Sequence, residues 1–336
     1  MPPLYGLGRG NETARIYYLF RQQRRGLAAR RTRAASLGNA ADRGAYGDSC
    51  ESKAELAGFR DSLAKLGWIE GSTIHIDYRF PANPDQYPIL AKELIALRPE
   101  VILAQSTPVA AALQRETRAI AIVFANVSDP IGWGFVSSLA RPGGNLTGVI
   151  AYESGIAGKW LAMLKEIAPC LKRAALLANP KTTAFDYFLQ NAKIAAASLD
   201  LEVVPSPIND IADLEQKIES FARVADGALL LVPDGTLYAH RDVIIALAAR
   251  YRLPAVYPWR YVVAEGGLMA YGVDVVDAFQ QGASYVSRIL GGENPADLPV
   301  QVPTKYETVL NLKTAKALPR RWVFQCRHRF WCAPTR

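Results

Sequence analysis

Four short polar strings break the apolar pattern of this 336-residue chain at places where they could do chemistry. They are Ser106-Thr107-Pro108, Ser128-Asp129-Pro130, Asn179-Pro180 and Asp234-Gly235, and each follows an apolar run of strand type. Open parallel sheets bind ligands outside the carboxyl ends of their strands, so these strings mark candidate binding positions. Thr107 can cap the helix that begins there, and Pro108 suits its first turn. The free N–H groups and positive dipole end of such a helix would hold a carboxylate or other anion; an ordinary N-cap without a ligand is the competing reading. Asp129 and Asp234 could each pair with a ligand ammonium, or cap the turn that follows. Asn-Pro and Asp-Gly are common turns, so no single string decides the matter. The candidate ligand-binding residues are Ser106, Thr107, Ser128, Asp129, Asn179 and Asp234, with Tyr257 and Tyr271 as aromatic walls. Trp259 reads better as packing.

Enzymatic and metal chemistry find little support. The histidines are His75, His240 and His328, and no pair has metal-ligand spacing. There is no Gly-x-Ser-x-Gly, no Walker loop and no Gly-x-Gly-x-x-Gly after the first strand. Gly132-Trp133-Gly134 lacks the third glycine, and Arg141-Pro142-Gly143-Gly144-Asn145 reads as a tight turn before a strand. The expectation is a non-enzymatic protein with no cofactor and no metal.

The net charge of +8 invites a nucleic-acid reading, but its placement argues against one. Nine arginines face three acids in residues 1–50, and residues 319–336 hold five arginines and no acid. The body between is slightly acidic, whereas a phosphate-tracking surface needs Lys/Arg clustered on the folded body. The four cysteines match no common zinc pattern, and only Cys170 lies well inside the body. No apolar run is long enough for a transmembrane helix, and no export signal is recognisable.

From residue 51 onward the pattern is regular. Helical spacing over 51–66 (Leu56, Phe59, Leu63, Leu66) precedes alternation over 73–80, and a second helix covers 87–96. Buried strands are predicted at 101–104, 120–125 and 146–152, with helices at 109–118 and 135–139. A second block repeats the grammar, with strands at 174–178, 201–204, 228–232 and 255–257. Its helices fall at 157–167, 185–199, 212–225 and 240–251; a long helix at 274–290 and a final strand at 308–312 follow. This is an α/β chain with two doubly wound parallel-sheet lobes joined by a hinge. Lobe 1 is 51–152, lobe 2 is 153–258, and 259–318 returns to lobe 1 and the hinge. Residues 1–50 form an Arg-rich atypical segment without a strand-like run, so the first lobe is expected to lack its first strand. Residues 319–336 form an atypical basic tail. Both ends read as disordered, or as translated from a shifted frame or wrong start.

The string Arg141-Pro142-Gly143-Gly144-Asn145-Leu146-Thr147-Gly148 resembles a signature of the ABC transporter substrate-binding protein family, which includes tryptophan- and tyrosine-type binding proteins. Further matches keep the same order: Leu66-Gly-Trp-Ile-Glu-Gly71, Ser106-Thr-Pro108, Ser128-Asp-Pro130 and Gly266-Gly-Leu-Met-Ala-Tyr-Gly272. Ala296-Asp-Leu-Pro-Val-Gln-Val-Pro-Thr-Lys305 and Asn311-Leu-Lys-Thr-Ala-Lys-Ala317 complete the set. The resemblance covers about 51–318 and implies a periplasmic-binding-protein fold of type I. It implies a small ligand clamped between lobes, ABC permease and ATPase partners, and a periplasmic location. No nucleic acid and no stable membrane insertion are expected. The resemblance implies that the same eight candidate residues stand at the family's cleft positions. The family's closing helix after the last strand is expected to be replaced by 319–336. Two rivals remain: a ligand-sensing domain of a transcription regulator and a small-molecule α/β enzyme.

Overall fold

A run such as Val101-Ile102-Leu103-Ala104 has no polar side, so as a strand it must be covered on both faces. The computed structural model, which describes residues 34–37, 50–81, 84–153 and 155–319, shows how this is done. The protein divides into two units. One takes Met1–Ala151 with Val275–Val302, the other Tyr152–Asp274 with Pro303–Arg336.

In chain order the first unit contains β1 (Ala34–Leu37), α1 (Cys50–Lys65), β2 (Ile76–Arg79), α2 (Tyr87–Ala96) and β3 (Val101–Gln105). Then follow α3 (Thr107–Glu116), β4 (Ala121–Val127) and β5 (Leu146–Ile150). The second unit contains α4 (Ile156–Ile167), β6 (Arg173–Ala178), α5 (Phe185–Ser198), β7 (Glu202–Pro207), α6 (Ile211–Ala222) and β8 (Gly227–Leu231). It continues through α7 (Gly235–Ala239), α8 (Arg241–Tyr251), β9 (Ala255–Tyr257), α9 (Arg260–Ala264) and β10 (Met269–Val273). Helix α10 (Val275–Leu290) goes back to the first unit, and β11 (Tyr306–Leu310) with α11 (Leu312–Ala317) belongs to the second.

The first sheet has the order β1-β3-β4-β5, all parallel. Because side chains alternate along a strand, Val101, Leu103, Val123 and Ala125 share one face. There they pack on Leu56, Phe59 and Leu63 of α1 and Phe279, Ala283 and Val286 of α10. Ile102, Ala104, Ile122 and Phe124 share the other face, against Tyr87, Ala91 and Leu94 of α2 and Val109, Ala110 and Leu113 of α3. Each large side chain buried in this way contributes roughly 1.5–3 kcal/mol.

The second sheet has the order β11-β10-β9-β8-β6-β7, parallel except for β11. One face (Ala175, Leu177, Leu229, Leu231) is covered by α6 through Leu214, Ile218 and Phe221, and by α8 through Ile244 and Ala248. Strand order reverses at β6, which has β7 on one side and β8 on the other. The crevice between the carboxyl ends of β6 and β8 is therefore this sheet's topological switch point.

The structure corrects several expectations. A first strand is present, because Ala34–Leu37 pairs in parallel with Val101–Ala104. Four residues reading Ala-Ala-Ser-Leu carry no β-branched or aromatic side chain, so the pattern could not flag them; the neighbouring strand's backbone groups recruit them. The readings made for 1–33, 38–49 and 320–336 lie outside the described residues. Residues 135–139 are not helical. The N–H groups of Phe135 and Val136 both turn back to the Pro130 carbonyl, at 2.9 and 3.3 Å. A closing helix follows the last strand: Asn311 caps α11 through the N–H groups of Lys313 and Thr314. The return segment expected over 259–318 is split, with only Val275–Val302 in the first unit.

The Arg141-to-Gly148 string is a structural device. Asn145 Nδ2 donates to the Ile120 carbonyl at 2.7 Å, and Thr147 Oγ1 to the Leu298 carbonyl at 2.6 Å. Gly148 has φ +149°, and a Cβ there would lie 2.0 Å from the Phe124 carbonyl oxygen on β4. Gly148→Ala is therefore expected to destabilise the protein by about 3 kcal/mol or more. Urea unfolding read by tryptophan fluorescence checks this, and an unchanged midpoint would show that β5 can move away from β4.

Candidate functional site

A strand buried on both faces can present polar groups only where it ends. In the first unit β3 ends at Ser106, whose φ of +80° turns the chain sharply into α3. Ser106 is the N-cap residue, yet its side chain makes no cap hydrogen bond. Its Oγ is buried and has no partner. The Ser106 carbonyl accepts from Ala110 N–H at 3.1 Å. The N–H groups of Thr107 and Val109 come before any intrahelical acceptor. Thr107 stands inside the helix rather than capping it. Its Oγ1 accepts from Ser128 N–H at 3.0 Å, tying the end of β3 to the end of β4.

The end of β4 is irregular. A bulge separates Ala125 from Val127, and Asn126 and Asp129 both have positive φ, +60° and +50°. Asp129 Oδ1 accepts from Gly132 N–H at 2.9 Å, so its carboxylate caps the following turn. Ser128 is buried beside it. Residues held in the left-handed region cost of order 1–3 kcal/mol each and gather at functional sites; here three lie within one edge of one sheet.

In the second unit Asn179 follows β6 and Asp234 lies beyond β8, so both stand at the switch point. Asn179 Oδ1 accepts from Lys181 N–H at 2.9 Å, and its Nδ2 donates to Thr236 Oγ1 at 3.2 Å. Asp234 caps α7 through Leu237 N–H at 2.9 Å, and its other oxygen accepts from the Thr182 hydroxyl. Thr183 Oγ1 donates to the Pro233 carbonyl at 2.7 Å. Both Asp234 oxygens are thus engaged, and the side chain is buried. Thr182, Thr183 and Thr236 were not singled out from the sequence; the signal available was hydroxyl residues within four positions of a strand-end turn.

The two tyrosines differ. Tyr257 belongs to the core cluster with Val262 and Ala270, and its buried hydroxyl has no partner; burial pushes the phenol up. Tyr271 is half-buried and stacks on Tyr306, centroids 5.4 Å apart and planes 10° apart. Lys159 lies over both rings. Trp259 is half-buried among Tyr238 and Tyr261.

Burial raises the Asp234 carboxyl from 3.8 to about 6, although hydrogen bonds from Thr182 and backbone groups pull the other way. The folded carboxyl holds its proton more tightly than the unfolded one. Folded stability from this group is therefore present below pH 4 and is lost as pH rises through about 6. The loss is on the order of 3 kcal/mol. Asp234→Asn keeps an acceptor and removes the titration. Its unfolding free energy should gain on the wild type by that amount between pH 4 and pH 7 in urea melts at stepped pH; parallel profiles would refute the assignment.

Among the described residues no group of His, Cys, Asp and Glu could hold a metal ion, and no helix is long and apolar enough to cross a membrane. The chain is 28% identical over 271 residues to the tyrosine-binding protein of Clostridioides difficile strain R20291, covering 78% of this chain and 75% of that one. Its fold is similar to that of an ABC domain from Streptococcus pneumonia in complex with L-Trp. That likeness has a TM-score of 0.73 at 21% identity, over 84% of this chain and 93% of the other. A conserved domain protein from Vibrio cholerae O1 biovar El Tor matches with a TM-score of 0.75 at 26% identity, over 85% and 96%. The model of the ABC transporter substrate-binding protein family matches residues 47–319. With that extent of match, and with the strand-end polar groups in place, the chain belongs to the ABC transporter substrate-binding protein family and is a solute-binding component of an ABC-type importer.

Proposed function

We propose that this protein captures an amino acid or related carboxylate in the periplasm and delivers it to a permease driven by an ATPase, without chemical turnover. The observation that carries the reading is the Ser106 hydroxyl. It is buried, has no partner, and stands at the opening of α3 beside N–H groups that precede any intrahelical acceptor. A buried polar group without a partner costs about 1–3 kcal/mol, a penalty that a bound acceptor group would remove. The relatives support an amino acid, since one is a tyrosine-binding protein and another holds L-Trp.

The candidate residues divide into two roles. Ser106, Ser128 and Tyr271 offer groups to the ligand. Thr107, Asp129, Asn179 and Asp234 hold the edges that present them, and Tyr257 packs in the core of the second unit. Asp234 is a positioning residue here rather than the partner of a ligand ammonium, because both its oxygens are taken.

Two measurements test the reading. L-Tyrosine or L-tryptophan at a hundred times its Kd should stabilise the folded protein by about 2.7 kcal/mol. That raises Tm by roughly 5 °C or more; a folded sample that no small solute stabilises would refute the function. Ser106→Ala removes no hydrogen bond of the free protein. It should leave Tm in place or raise it, yet weaken binding roughly tenfold by calorimetry, and unchanged affinity would remove Ser106 from the site.

A further inference from the structure

Lys159 is an exposed side chain in the first turn of α4, and it is held where an exposed lysine would ordinarily roam. Its Nζ lies 5.6 Å from the Tyr271 ring centroid, 5.2 Å from the Tyr306 centroid and 3.4 Å from the Tyr271 hydroxyl. A cation within about 6 Å of a ring is attracted by the ring's quadrupole, and here two rings act together. The pair is built by the sheet. Tyr271 stands opposite Thr308, and Tyr306 opposite Val273, so the tyrosines are diagonal neighbours on one face of the β10–β11 ladder. Burial, with Glu153 and Tyr271 nearby, pushes the Tyr306 phenol up to about 12, so that ring is neutral at physiological pH.

The rings orient the ammonium, and Glu153, the carboxylate whose charge acts on Tyr306, forms no ion pair with it. Among the described residues Lys159 has no carboxylate within 4.0 Å. Other cations of the second unit are treated differently: Arg241 is held by Glu265, with nitrogen–oxygen contacts of 2.7 and 3.1 Å, and Arg260 reaches Glu307 at 3.2 Å.

The location is that of the strand-end groups. Helix α4 leads into the start of β6, so its first turn lies at the opposite, carboxyl edge of the sheet. Two contacts fix it there. Tyr152 Oη donates to the carbonyl of Pro258, just past β9, at 3.0 Å, and Trp160 Nε1 donates to the Tyr271 carbonyl at 2.6 Å. Strand β11 runs antiparallel, which brings its first residue, Tyr306, to the same edge. Asn179 and Asp234 stand along that edge, but one is neutral and the other is a fully engaged acid.

We infer that Lys159, oriented by the Tyr271–Tyr306 pair, receives an anionic group of the ligand and makes this protein select carboxylates over neutral solutes. The inference rests on the solute-binding reading above. It adds the residue that supplies the formal charge for the carboxylate class proposed there.

The test uses the full chain and the variants K159M, which keeps the apolar stem over the rings, and K159R, which keeps the charge. Thermal shift and calorimetry are run with L-tyrosine, L-tryptophan and succinate, with their carboxamides, and with glucose and sorbitol. The expected result is that the wild type prefers at least one acid over its amide by about 10- to 100-fold. K159M should lose that preference with an unchanged ligand-free Tm, and K159R should retain most of it. The proposal is overturned if K159M binds the acid as tightly as the wild type. It is equally overturned if K159M and K159R lose affinity for acid and amide alike together with Tm, because Lys159 then only packs. A wild type stabilised by a sugar or polyol and by no acid overturns the carboxylate selection and leaves solute binding standing. One stabilised by none of the probes counts against both.

Discussion

A parallel strand covered on both faces has no room for chemistry along its length. Ile102, Leu103, Ala104, Val123, Phe124 and Ala125 are all fully buried, and Leu229 and Leu230 repeat the arrangement in the second unit. With the lateral positions filled by helices, every polar group that meets a solute must sit where a strand stops. This constraint explains why the turns are strained in the first unit. The chain has to leave β3 and β4 abruptly to start a helix or a capped turn, and it does so through left-handed Ser106, Asn126 and Asp129. Glycine would adopt those angles more easily. The polar side chains kept there, at some conformational penalty, are what a binding edge requires.

The edge groups then separate into those that hold the turns and those left open. Thr107, Asp129, Asn179, Thr182 and Asp234 spend their hydrogen bonds on neighbouring turns, binding β3 to β4 and the loop after β6 to the loop after β8. Asp234 shows the physical reason. A buried carboxylate needs donors on both oxygens, and once it has them it is a fixture of the fold rather than a free charge. Ser106 and Lys159 are the opposite case. One is a buried hydroxyl without a partner, and the other is an ammonium held by two rings and, among the described residues, not ion-paired within 4.0 Å.

Much of this was legible in the sequence, and the limits follow from particular residues. Apolar runs bounded by Pro and Gly located β3, β4, β6 and β8 and hence the polar strings at their ends. The helical spacing of Leu56, Phe59 and Leu63 located the buried face of α1. Strand β1 was not legible, because Ala-Ala-Ser-Leu has no intrinsic strand signal and exists through pairing with Val101–Ala104. The stretch near Phe135 misled because two apolar residues beside a Gly-rich turn mimic helical spacing, whereas Pro130 accepts both N–H groups. The choice between a ligand contact and a cap at Asp129 and Asp234 depends on distances of about 3 Å, which no spacing reports. Lys159 and Tyr306 were invisible because their meeting depends on the register of β10 with β11 across a long chain separation.

The residues of the Arg141-to-Gly148 signature are not those proposed to choose the ligand. Asn145 closes the turn beyond α3, Thr147 fastens β5 to the segment that follows α10, and Gly148 lets β5 approach the backbone of β4. Gly272 does the same beside β9, where a Cβ would lie 1.8 Å from the Pro258 carbonyl oxygen. These are demands of close backbone packing, indifferent to what is bound. The groups proposed to meet the ligand instead stand just beyond a strand end, or a helical turn into α4, outside the sheet's close backbone contacts. A signature of this kind therefore carries fold and family with it, while the ligand has to be read from which edge groups the fold leaves without partners.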